Sequence, residues 1–353
     1  MKSMPPNQNL PNLFDIATSE LSQDAFITWL LHWASPDYAP ADAALHDCAT
    51  AFTKQLLALQ GVRVDRIESI EAGRQWNNMD VWAKINNKHL LIIEDKTFTD
   101  PHSNQLQRYK EQASKWCSGN GYDLVCIYLK TGSESMSRLN KVREQGYAVF
   151  QRKEMFDVLL GCETQNEVFV DFVRHLSAIE ESESGFADKP IGEWKDSDWI
   201  GFYRKLETRR TIVDWNYVNN PMGGFWNAVI NWNDLPDCCP YMQIEQGLLS
   251  FKIGEVEQNR SEIRGRYHDE WMRRCANLPE IRRPGRLGSG AYMTIAVVDR
   301  QVWLGADNER IDIERVVNNL RRYEEAYASF VKEMMNSNNK ESNVSLSSNS
   351  EMQ

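Results

Sequence analysis

With 353 residues, 42% of them hydrophobic and 25% charged, the chain has the make-up of a globular protein with room for two cores, which excludes a disordered or fibrous class. A net charge of −10 excludes a protein that coats nucleic acid without selectivity, while leaving room for a local basic groove. Seven cysteines, two of them adjacent at Cys238 and Cys239, show no zinc-site spacing; no stretch reaches the length of a membrane span and no apolar leader opens the chain, so the reading is cytoplasmic with reduced thiols.

In chain order, a helix is predicted from Glu20, with Leu21, Ala25, Phe26, Trp29, Leu30 and Trp33 on its apolar face and Glu20, Gln23 and Asp24 on the polar side of its start. A second helix is predicted over 43–59. Strands follow over 62–71, Met79–Ile85 and 90–94, the last two joined by the tight turn Asn86-Asn87-Lys88 into an antiparallel hairpin. A helix over 103–116 then leads to an apolar strand over 124–129. Residues 1–180 form one domain on this reading, and the acid-, Ser-, Gly- and Pro-rich stretch 181–193 reads as a linker.

A second, α+β domain spans 194–335. It is expected to open with a helix near Trp199, to turn a hairpin at Gln246-Gly247, and to carry an arginine-rich helix after Asn259. Two more strands are expected across 290–305. A final helix should bury Ile313, Val316, Val317, Leu320, Tyr323, Tyr327 and Phe330. Residues 336–353 are Ser/Asn-rich and almost without large apolar side chains, so a disordered tail is expected.

The chemistry concentrates at Leu90-Leu91-Ile92-Ile93-Glu94-Asp95-Lys96. Four large aliphatics in a row read as a strand covered on both faces, and such a strand gains nothing from three charges at its end. Glu94 and Lys96 share one side and Asp95 points to the other, while Asp80 on the preceding strand of the hairpin can come alongside Glu94. Two carboxylates with an ammonium beside them form a plausible hard-cation site of the kind that suits phosphodiester hydrolysis.

Asp80 followed by Glu94-Asp95-Lys96 resembles the signature of the PD-(D/E)XK nuclease superfamily. Gln105-Leu106-Gln107-Arg108-Tyr109 on the next helix resembles the QxxxY motif of one of its branches. The resemblance implies an α/β (α+β) restriction-endonuclease-like αβββαβ core with a mixed sheet flanked by helices. It further implies Asp80, Glu94 and the backbone carbonyl of Asp95 as ligands of Mg²⁺, with Mn²⁺ able to substitute, and Lys96 as the catalytic lysine. Glu20 matches the acidic residue some members carry on the first core helix, and Gln105 and Tyr109 would touch the site or the nucleic acid. Met79 stands where the signature has proline, and an acid, Asp95, occupies the usually apolar middle position.

The function this implies is a Mg²⁺-dependent nuclease acting on DNA rather than RNA, in the setting of restriction or anti-phage defence. Two other classes stay open: a non-catalytic nucleic-acid-binding or ligand-sensing protein that keeps the fold, and a metal-dependent hydrolase of another phosphate compound. No membrane partner is expected; a homodimer, and a partner or small-molecule ligand on the C-terminal domain, are open readings. Arg260, Arg264, Arg266, Arg273, Arg274, Arg282, Arg283 and Arg286 concentrate positive charge in an acidic chain, and Arg273 and Arg274 are expected at a phosphate-contacting face. Glu262, Asp269, Glu270 and Glu280 among them fit a salt-bridged helix almost as well. His46 and His89 lack partners at ligand or triad spacing, and His102, just before the QxxxY helix, reads as a loop histidine within reach of a phosphate.

Overall fold

The computed structural model describes residues 11–97, 99, 104–220 and 223–350, with side chains in the last helix described as far as residue 336. His102 therefore lies outside the described residues. The chain divides into two compact units, Met1–Glu181 and Ser182–Gln353.

The first unit opens with a short helix α1 (Leu13–Ile16), then α2 (Glu20–Trp33) and α3 (Ala43–Ala58). Strands β1 (Ile70–Trp76), β2 (Met79–Ile85) and β3 (His89–Lys96) follow, then α4 (Gln105–Asn120), β4 (Asp123–Lys130), α5 (Met136–Glu144), β5 (Ala148–Gln151), α6 (Arg152–Leu159) and α7 (Glu167–Ser184). The sheet runs in the order β1-β2-β3-β4-β5. It is antiparallel from β1 to β3 and parallel from β3 to β5.

Strand alternation explains why β3 is an unbroken apolar run. Leu91 and Ile93 join Val81, Ala83 and Ile127 in a core with α2, α3, α6 and α7. Leu90 and Ile92 join Tyr128, Leu106, Tyr109 and Ala113 on the α4 side. A strand buried on both faces has no polar side to show.

In the first unit and at its boundary, three expectations differ. The stretch 62–69 is not a strand: Asn86 Oδ1 accepts the backbone N–H groups of Glu68 (2.7 Å) and Ser69 (3.2 Å), so the hairpin turn holds this segment as an irregular connection and β1 begins only at Ile70. The inward face of α2 is also different. Leu21 is 54% exposed, whereas Gln23 and Asp24 are buried with Phe26, Ile27, Leu30 and Leu31; the Gln23 amide bonds to Asp95 and Thr131, while Asp24 Oδ1 is buried without a hydrogen-bond partner. Finally, the expected linker is structured. α7 runs on to Ser184, and Phe186 and Ile191 are buried in the second unit, where the Ile191 and Gly192 N–H groups bond to the Glu309 and Asp307 carbonyls.

The second unit holds α8 (Asp196–Glu207), β6 (Asp214–Val218), β7 (Phe225–Trp232), β8 (Cys239–Glu245), β9 (Leu248–Gly254), α9 (Arg260–Arg274), β10 (Met293–Val298), α10 (Arg300–Trp303) and α11 (Ile313–Ser350). Its sheet is antiparallel in the order β10-β9-β8-β7-β6. Trp271, Tyr327 and Phe330 pack against it with Phe251. The β8–β9 hairpin turns at Gln246-Gly247, both with positive φ, as the sequence predicts. In place of the second expected strand after β10 stands the short helix α10, whose Trp303 is fully buried and donates its indole N–H to the Gly247 carbonyl at 2.6 Å. The α11 backbone continues through residues 336–350 of the expected tail, although its buried stripe ends at Met334. Among the described residues no helix is long and apolar enough to cross a membrane.

Candidate active site

β2 and β3 are in register with Val81 opposite Ile93, which sets Asp80 beside Glu94 where the ladder ends. Asp80 Oδ2 accepts the backbone N–H of Asp95 at 3.1 Å, so the strand end itself fixes that carboxylate. Lys96 is only 9% exposed and its Nζ lies 2.8 Å from Glu94 Oε1, 3.3 Å from Asp80 Oδ2 and 3.7 Å from Glu20 Oε2. It also donates to the Asp95 carbonyl at 2.8 Å. Four residues named from the sequence, on three separate elements, thus converge on one ammonium.

Glu20, at the first turn of α2, has a second task. Its Oε1 accepts the Thr97 N–H at 3.0 Å and the Thr99 hydroxyl at 2.7 Å, fastening the chain that leaves β3 to the start of α2. Partial burial opposes its ionisation, but those two hydrogen bonds and Lys96 outweigh it and hold its pKa below the ordinary value. Gln105, the first residue of α4, donates its amide to Glu94 Oε1 at 2.6 Å and also to the hydroxyl oxygen of Tyr109, one turn on, at 3.3 Å. Gln105 is therefore in direct contact with the carboxylate, and Tyr109 is one contact removed.

Burial, with Asp80 alongside, pushes Glu94 up to about 8 in spite of Lys96. Lys96 is driven above its ordinary value: burial opposes its charge, but Glu94, Asp80 and Glu20 overcome that penalty. It is a donor that keeps its proton at neutral pH.

A further set of groups lies behind Asp95. Its side chain is fully buried and accepts Gln23 Nε2 at 2.5 Å; Gln23 in turn accepts the Thr131 hydroxyl at 2.8 Å, which meets the Thr97 hydroxyl at 3.1 Å. Asp24 is buried next to this chain and is pushed up to about 7 by burial and by Asp80. Sequence reasoning placed Gln23 and Asp24 on a solvated helix face. A usable signal was present, because they sit one helical turn after Glu20. Lys130 was missed as well: it ends β4 as Lys96 ends β3, pairs with it in register, and donates to the Thr99 carbonyl at 2.8 Å. The run Leu124 to Lys130, apolar and closed by a lysine, repeats the pattern that drew attention to β3.

The site's fit to a divalent cation follows from its donors. Glu94 Oε2 is buried without a hydrogen-bond partner, Asp80 stands beside it, and the Asp95 carbonyl keeps a second lone pair after accepting Lys96. Two hard carboxylates and a carbonyl, crowded enough to raise a pKa, suit Mg²⁺ or Mn²⁺. Among the described residues no group of three or more His, Cys, Asp and Glu side chains is arranged to hold a metal, so the candidate set is this pair with the backbone oxygen.

Residues 11–182 match the family model of the PD-(D/E)XK nuclease superfamily. This stretch of the chain belongs to that superfamily. No curated protein and no solved structure matches the chain significantly. The mixed sheet flanked by helices is the PD-(D/E)XK fold expected from the sequence, and the superfamily supports a nuclease that uses a divalent metal ion. Asp80, Glu94 and Lys96, the residues that carry the resemblance in the sequence, lie within the matched stretch.

The arginines of the second unit are largely paired within it. Arg273 bonds to Glu270 at 2.6 Å, Arg274 to Glu270 at 2.8 Å and also to Glu333, Arg266 to Asp237, and Arg282 to Asp299. On this helix Arg273 and Arg274 thus have carboxylate partners, as the salt-bridged reading of the sequence expects, and Arg273 stays largely exposed.

Proposed function

We propose that the protein is a Mg²⁺-dependent deoxyribonuclease whose phosphodiester-hydrolysing centre is Asp80, Glu94 and Lys96. The observation that carries this reading is the contact of Lys96 Nζ with both Glu94 and Asp80 at the end of a strand buried on both faces. Such an arrangement costs stability through burial of charge and has no packing purpose. Asp80, Glu94 and the Asp95 carbonyl would hold the cation. When bound, it would polarise the scissile phosphate and lower the pKa of a coordinated water.

The remaining work falls to the chain's own side chains. Lys96, protonated and held by Glu94, donates toward the attacking water or the charge that builds on phosphate oxygens. Gln105 fixes the Glu94 carboxylate in one orientation by its 2.6 Å hydrogen bond, with Tyr109 limiting the amide's own freedom. Glu20 ties the segment after β3 to α2, keeping the mouth of the site in place.

Incubation of the purified protein with supercoiled and linear DNA in Mg²⁺ or Mn²⁺ tests the reading. Cleavage that EDTA abolishes supports it. Intact DNA in both metals, with the protein folded and binding DNA, favours a non-catalytic binding protein instead.

A further inference from the structure

A cavity of about 280 Å³ lined by Glu71, Trp76, Trp82, Lys84, Leu90 and Trp116 takes no part in the hydrolytic cluster. It lies on the same face of the sheet. Residues two apart on a strand point the same way, so Asp80, Trp82 and Lys84 line one side of β2. α4 covers that side, beginning with Gln105 at the cluster and reaching Trp116 three turns later. Trp82 is two positions along the strand from Asp80, a backbone rise of about 7 Å.

The cavity is built rather than incidental. Position 73 of β1, opposite Trp82, is glycine, and a Cβ there would come 2.7 Å from Trp82 Cζ2, so the missing side chain is what lets the indole lie over the neighbouring strand. Trp76 stands 6.3 Å from Trp82 and 5.5 Å from Trp116 between ring centroids. Lys84 Nζ is 5.3 Å from the centre of Trp82, 5.8 Å from that of Trp116 and 3.0 Å from Glu71. All three indoles keep solvent-accessible surface, whereas Trp215, Trp271 and Trp303 of the second unit are closed off in its core.

Partly open indoles offer their faces to planar ligands such as a nucleobase. We propose that this cavity takes one unpaired nucleobase of the DNA strand being cut, so that the enzyme acts on DNA carrying a single-stranded segment; this rests on the nuclease reading of the neighbouring cluster. The base stacks on an indole, with Lys84 held at the cavity wall by Glu71.

The test is the binding of a short fluorescent single-stranded oligonucleotide in EDTA, compared with a set in which one abasic nucleotide is moved along the strand. The parent should lose roughly five- to hundredfold in affinity at one abasic position, the size of losing one base–aromatic stack. Trp82→Ala should bind the intact oligonucleotide that much more weakly and be indifferent to the abasic position. Gly73→Ala, which keeps every indole but displaces Trp82, should behave in the same way and guards against misfolding of the first variant. A parent indifferent to abasic substitution at every position, one that does not bind the strand, or variants as sensitive to it as the parent would overturn the proposal. Because hydrolysis is not needed, the two readings separate. Base-dependent binding without cleavage in Mn²⁺ would remove the nuclease reading alone, and cleavage without base dependence would remove the cavity's role alone.

Discussion

Lys96 Nζ lies 2.8 Å from Glu94 Oε1, two residues back along the same strand, and 3.3 Å from Asp80 on the strand beside it. One ammonium thereby offsets two carboxylates that would otherwise repel. The same three groups are the ones a divalent ion and an attacking water would use.

Asp80→Ala and Glu94→Ala should each abolish stoichiometric Mn²⁺ binding by titration calorimetry while leaving the circular dichroism spectrum unchanged. Removing one carboxylate leaves a single charged ligand with the Asp95 carbonyl, too few for tight binding by a hard cation. Unaltered Mn²⁺ isotherms in both variants would place the metal elsewhere.

Stability in EDTA should depend on pH in a defined direction. Folding raises Glu94 from an ordinary carboxyl value of 4.5 to about 8, so the folded protein binds a proton more tightly than the unfolded chain does. The stability this contributes is full below pH about 4.5 and is lost as pH rises through 8. The melting temperature of the metal-free parent should therefore fall more steeply between pH 5 and 9 than that of Glu94→Gln, and parallel curves would contradict the shift.

How far the sequence told this story depends on how local the cause was. The β2–β3 hairpin, the burial of β3 on both faces and the charged strand end were all legible, because strand alternation and a short turn fix them within a few residues. The inward orientation of Gln23 and Asp24 was not, since a polar residue on a helix reads as solvated unless its partner is known, and Asp95 lies 72 residues away from Gln23. Charge alone likewise could not assign the arginines. Arg266 finds Asp237 and Arg274 finds Glu333 only after the second unit has folded.

For that reason Glu substitution of Arg273 and Arg274 should leave the slope of log affinity against log salt for DNA unchanged, with any loss appearing in thermal stability. A slope reduced by about one unit per arginine would mean that both contact phosphate in spite of their carboxylate partners.

Gln105→Ala removes the amide that fixes Glu94 and should weaken Mn²⁺ binding or turnover about ten- to hundredfold, the usual scale for a group that orients a metal ligand. Tyr109→Phe, which disturbs only the amide's neighbour, should have a smaller effect. Equal effects from the two would place the catalytic influence of α4 somewhere other than the Gln105–Glu94 contact.

The most direct measurement is single-turnover cleavage by Lys96→Ala with DNA and Mn²⁺ both saturating. An ammonium has donors and no acceptor, so Lys96 is not a metal ligand, and its removal should leave Mn²⁺ affinity equal or slightly higher. The rate should fall by about a hundredfold or more, the scale of losing one preorganised transition-state donor. Lys96→Arg should recover little, because the planar guanidinium presents its donors differently. Cleavage by Lys96→Ala at the parental rate would contradict the account and leave the charged end of β3 without a part in hydrolysis.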